Sequence, residues 1–130
     1  MGRKLSESLR TRAAVIPQDI NTPRTSGFID VSGAGRVMAV VTTAAVAATK
    51  KVTVQFRQAK DATGTDAKDL GAPVEKVAGS GGGPLDLTAE ATVERLDKDY
   101  GFIAVALSTD NGAAVLGSAM LLMGDNRFNP

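Results

Sequence analysis

Lys51-Val-Thr-Val-Gln-Phe-Arg57 places Val52, Val54 and Phe56 on one side of an extended chain and Lys51, Thr53, Gln55 and Arg57 on the other. A period of two is the pattern of a strand with one buried and one wet face. Similar short runs lie on both sides of it. Gly27 to Val31 reads as a strand closed by the turn Ser32-Gly33-Ala34-Gly35, and Arg36 to Thr43 is a valine-rich second strand. Downstream, Pro73 to Ala78, Leu87 to Leu96, Tyr100 to Leu107 and Ala113 to Met123 are all β-compatible and separated by turn residues. The intervening Ala44 to Thr49 reads as a loop, because β-branched runs and Lys50-Lys51 flank it. Asn111-Gly112, between two apolar runs, is a hairpin signal. Six or seven short strands at near-regular spacing predict an all-β fold, an antiparallel β-sandwich or jelly-roll-like barrel.

The chain has 130 residues, enough for one domain with a core. Its apolar share of 43% is carried by Ala and Val, with four Phe, one Tyr and no Trp. A core of small residues is thin, and thin cores favour stabilisation by neighbouring chains.

Residues 1–24 are polar and interrupted by Pro17 and Pro23, and the residue before a proline is pushed out of helical geometry. A helix around Lys4 to Arg12, with Leu5 and Leu9 four apart, is too short to stand alone. Four cations, Arg3, Lys4, Arg10 and Arg12, face only Glu7 in the first dozen positions. The organisation expected is an extended N-terminal arm, 1–24, and a β-sandwich domain, 25–130. Arg3, Lys4, Leu5, Leu9, Arg10 and Arg12 are the candidate partner-binding residues of that arm.

Composition excludes much chemistry. Without cysteine or histidine there is no thiolate, no imidazole base and no Ser-His or Cys-His nucleophile, so no catalytic, metal-binding or cofactor-binding residue is assigned. Fifteen cations against fourteen carboxylates is not the footprint of a nucleic-acid binder, and direct DNA contact is not expected. The longest apolar stretch, Val37 to Thr49, falls short of the ~20 residues of a spanning helix, so no membrane partner is expected. Basic residues at the start lack the apolar segment of a secretion signal behind them.

The remaining motifs have plain readings. The glycines at 33–35 and 79–83 lack the following Lys-Ser/Thr or third glycine of a phosphate or dinucleotide loop, and read as turns. Asp61, Asp66 and Asp69 offer hard oxygens, but not at the alternate spacing of a calcium loop. Glu90, Glu94 and Asp97 include the carboxylates of a conceivable acid–base pair, without a neighbouring aromatic platform.

Two stretches, Gly27-Phe-Ile-Asp-Val-Ser32 and Val52-Thr-Val-Gln-Phe-Arg-Gln-Ala-Lys-Asp-Ala-Thr-Gly-Thr-Asp-Ala-Lys-Asp-Leu-Gly71, resemble small virion proteins encoded among the head genes of tailed bacteriophages. The run Leu121-Leu-Met-Gly-Asp-Asn-Arg-Phe-Asn-Pro130 is similar as well. The resemblance runs from about Gly27 to Pro130 and leaves the arm outside it. It implies a non-enzymatic head decoration or cement protein, assembled in the host cytoplasm and located in the phage head. Its partners would be the major capsid protein or other virion proteins, and copies of itself, with a trimer favoured at three-fold seams. A neck or tail component and a carbohydrate-binding β module on the particle surface are the alternatives.

Overall fold

The computed structural model describes residues 8–124. The strands are β1 (Arg10–Asp19), β2 (Arg24–Thr25), β3 (Ile29–Asp30), β4 (Arg36–Val46), β5 (Lys51–Ala59), β6 (Lys68–Val77), β7 (Gly83–Thr92), β8 (Phe102–Thr109) and β9 (Leu116–Gly124), with one 3-10 turn at Val93–Arg95. They form two antiparallel sheets. The first has the order β1-β9-β4-β7; in the second, β2-β8-β5-β6, the short β3 also pairs with β8. The all-β, two-sheet expectation holds, and the architecture is a sandwich.

Between the sheets lie Val37, Val41 and Leu121 from the first and Val52, Val54, Ile103, Val105 and Leu107 from the second, all nearly inaccessible. Phe56 is the only aromatic ring among the buried core residues described. The small-residue core read from composition is therefore present.

The N-terminal boundary is corrected. Residues 10–24 are not an arm outside the domain: β1 is an edge strand on β9, with Ala13 opposite Met120 and Val15 opposite Ala119. Arg10 to Arg12, read as part of a short helix, are extended. The chain then crosses to the second sheet at Ile20, which is fully buried and hydrogen-bonded on both sides, its N–H to Val115 O and its C=O to Thr109 N. Asp19 Oδ1 accepts the N–H groups of Asn21 and Val115, and these bonds hold its carboxyl below the ordinary value. Pro17 misled the reading because an edge strand needs few of its own N–H groups, so proline is tolerated there, while Pro23 lies in the loop between β1 and β2.

Other boundaries shift for local reasons. Ala44 to Val46 continue β4 past a bulge, since Ala45 and Val46 pair with Pro84 and Gly83. The strand expected over Gly27 to Val31 shrinks to Ile29–Asp30. Asn111-Gly112 does not close a hairpin, because β8 and β9 lie in different sheets. It makes the crossing between them: Asn111 Oδ1 accepts the Ala47 N–H, and Gly112 N–H donates to Asn21 Oδ1.

Candidate functional site

The two outer faces of the sandwich differ. On the second sheet, β5 turns out Lys51, Thr53, Gln55 and Arg57, and β6 answers with opposite charges. Lys51 pairs with Glu75 at 2.7 Å and Arg57 with Asp69 at 2.6 Å. The first pair raises the Lys51 pKa and lowers that of Glu75, each mainly through the hydrogen bond between them. Charged and polar groups dominate that face, with Val77 exposed opposite Lys51.

The outer face of the first sheet is apolar. Val40 lies opposite Met120, Met38 opposite Leu122, and Ala13 continues the Met120 row onto β1. Of the five large apolar side chains exposed among the described residues, Ile16, Leu116 and Met120 belong to β1 and β9, at 65%, 59% and 43% exposure. Polar groups sit at the β7 margin, where Asp86, Thr88 and Glu90 continue the Thr42, Val40 and Met38 rows, and the hydrogen-bonded hydroxyls of Thr42 and Ser118 cross the face between Met120 and Leu116. Exposed apolar side chains grouped on one sheet face make it a candidate contact surface.

The sequence contained this signal. Val37-Met-Ala-Val-Val41 and Ala119-Met-Leu-Leu-Met123 are continuous apolar runs, as expected of strands covered on both faces, whereas residues 51–57 alternate. Reading all of them simply as strands missed the distinction.

The arm candidates divide. Arg3, Lys4 and Leu5 lie outside the described residues. Leu9 is half-buried and lines a small hollow with Met38 and Leu122; a methyl group added at Gly124 would come within 3.0 Å of its Cδ2. Arg10 donates to Ser32 O at 3.1 Å, and Arg12 is exposed on the edge strand. Leu9 and Arg10 thus make contacts within the chain's own fold.

A second feature is a groove of about 640 Å³ between edge strands β6 and β7. Its cause is a bulge in β6. Val54 pairs with Val74 and Phe56 with Leu70, leaving Gly71, Ala72 and Pro73 opposite Gln55 alone. Gly71, at φ +71°, supplies the backbone conformation that other residues resist. Gln55 Nε2 staples the bulge by donating to the carbonyls of Phe56, Leu70 and Gly71. Lys76 of β6 ties one end to Asp86 of β7, and Lys68 pairs with Asp97 at the other. Gln58, buried beside that end, accepts the Asp97 N–H.

Val54, Phe56, Leu70 and Ala89 supply apolar lining, with Arg36, Glu90 and Arg95 among the polar lining residues. Glu90 and Asp97 both line the groove, but Asp97 is engaged by Lys68 and Glu94 is not a lining residue. No open ring platform meets a sugar there: Phe56 is 5% exposed, and Tyr100 has the ammonium of Lys68 4.8 Å from its ring centre.

The aspartates of the 61–69 loop are separately employed. Asp61 accepts from both the N–H and hydroxyl of Thr63 and of Thr65, which drives its pKa far below the ordinary value, the Thr63 hydroxyl contributing most. Asp66 pairs with Lys60 and Asp69 with Arg57. No cluster suited to a metal ion occurs among the described residues, and no helix among them is long and apolar enough to cross a membrane.

No family model matches the sequence, and no curated protein matches it. Solved structures do match the fold. VP2 of infectious bursal disease virus, in its subviral particle, aligns with a TM-score of 0.57 at 9% identity over 93% of this chain and 33% of VP2. The T13 particle of the same virus gives 0.54 at 10% identity, over 94% of this chain and 32% of that one. The CBM22-1-GH10 modules of xylanase 10B from Clostridium thermocellum, complexed with xylohexaose, give 0.50 at 9% identity, over 91% and 29%. The chain spans about a third of the length of these proteins. At such identities the likeness is one of fold alone, and the fold occurs both in VP2 of a virus particle and in the modules of a xylanase.

Proposed function

We propose that this chain is a structural protein of a bacteriophage virion, a head decoration or cement protein that binds across capsid subunits and stabilises the shell. The observation that carries the reading is the apolar outer face of the first sheet, on a fold shared with a viral capsid protein. A sheet face that leaves apolar side chains such as Met120 exposed is suited to lie against another protein. A cement protein needs such a face more than a cleft: it stabilises the expanded shell by binding that state better than the unexpanded one. Its weak single contacts are multiplied by the number of sites filled. The partner under this reading is the major capsid protein, and the place of action is the phage head.

Copy number in purified particles tests it. Shell decoration requires on the order of hundreds of copies, whereas a neck or tail ring requires about a dozen. Quantitative staining that finds the protein absent from finished particles rejects the reading, and a dozen copies moves it to the neck or tail.

A further inference from the structure

Asn111 is the only one of the four asparagines in the sequence that is followed by glycine. Glycine sets no Cβ beside its own nitrogen, so that nitrogen approaches the preceding side-chain amide unhindered and the pair is prone to deamidation. In that reaction the Gly112 nitrogen bonds to Asn111 Cγ, the Cγ–Nδ2 bond breaks, and Nδ2 leaves as ammonia with the amide proton. Water then opens the cyclic imide at one of its two carbonyls and leaves aspartate or isoaspartate at 111. Gly112 to Ala114 are exposed, so water reaches this loop.

The fold engages each group that must move. Asn111 Oδ1 accepts the Ala47 N–H at 2.7 Å, and its Nδ2 donates to Ala113 O at 3.2 Å, which pins the amide at both ends. The attacking nitrogen is held as well. Gly112 N–H donates to Asn21 Oδ1 at 3.0 Å, and a proton shared in this way is harder to remove. Ala47 follows β4, Asn21 follows β1 and residues 111–113 join β8 to β9, so these bonds tie three distant parts of the chain. Reaction requires that crossing to open.

We propose that Asn111 is a deamidation site kept latent by this crossing, and that its modification records the opening of the loop between β8 and β9. The inference stands independently of whether the chain belongs to a virion. Isoaspartate routes the backbone through Cβ and displaces Gly112 from Asn21. Aspartate loses the Nδ2 donor and sets a carboxylate against Ala113 O, next to Asp110. Either product weakens the crossing that had restrained it.

Peptide mapping that separates aspartate from isoaspartate at 111 tests this on the intact chain in mildly alkaline buffer, beside a free peptide of residues 107–115. The intact chain should react at least about tenfold more slowly than the peptide. Asn21→Ala removes the acceptor of the Gly112 N–H but keeps the backbone N–H that Asp19 accepts, and should react about fivefold faster than wild type. Asn21→Asp retains an acceptor oxygen and should stay slow. Hydrogen exchange should show β5 still protected in Asn21→Ala. Equal rates for the intact chain and the peptide, or no gain in Asn21→Ala, overturn the proposal. A gain that comes only with lost protection across β5 also overturns it, because the reaction would then follow global unfolding.

Discussion

At the scale of single residues, the loops are held by individual side chains and by glycines with no substitute. Gly82 has φ +67°, and a Cβ there would lie 2.7 Å from Val46 O and 3.2 Å from Ala48 N, both backbone atoms. Gly82→Ala should cost about 2 kcal/mol in urea unfolding through the left-handed penalty and the clash together. Gly81→Ala, with open space around it, should stay within about 0.5 kcal/mol. Asp61 gives a pH signature. Its folded pKa is depressed by the Thr63 and Thr65 hydroxyls, so its contribution is present above the unfolded pKa of ~3.9 and is lost as pH falls through the folded value. The stability difference between the wild-type chain and Asp61→Asn, followed by thermal melting, should be constant above pH ~5 and shrink below ~4. A difference that grows on acidification would contradict that assignment.

At the scale of elements, adjacent positions on β9 separate folding from the proposed assembly. Leu121 points into the core with no exposure, while Met120 is 43% exposed on the opposite face. Leu121→Ala should destabilise by about 2–5 kcal/mol. Met120→Glu should change stability by less than about 0.5 kcal/mol yet reduce particle occupancy, measured by staining of purified particles. Normal occupancy with Met120→Glu would remove this face from assembly. The sheet edges point the same way. β1 carries Arg10, Arg12, Pro17 and two register shifts, β6 carries Pro73 and its bulge, and β7 carries Pro84, Asp86 and Glu90. Charges, prolines and bulges discourage strand-to-strand addition, leaving the first sheet's outer face as the better contact surface.

At the scale of the whole molecule, the first strand pairs with the last and the crossing at Ile20 ties both sheets together. Truncation through β1 should therefore be costly. Removing 2–24 should cost about 3–6 kcal/mol from the lost burial of Val15 and Ile20 alone, read from the urea midpoint. A midpoint equal to that of the intact chain would mean that β1 contributes little to the sandwich.

Order along the chain was enough for the class of fold, because alternation at 51–57 and short β-branched runs between turn residues are local consequences of the strand period. Absence of cysteine and histidine likewise bounded the available chemistry without any coordinates. It also held an unread sign of the apolar face in the unbroken runs at 37–41 and 119–123. Which strands are neighbours emerged only from the folded chain. Asn111-Gly112 looks like a hairpin locally, but the burial of Ile20 and the bonds of Asn21 turn it into a crossing between sheets. Residues 10–24 look like an arm, but their register on β9 makes them an edge. The groove arises only when β6 bulges beside β7. Strand formation depends on spacing along a few residues, whereas pairing, edges and grooves depend on contacts between residues far apart in the chain, which no short window of sequence contains.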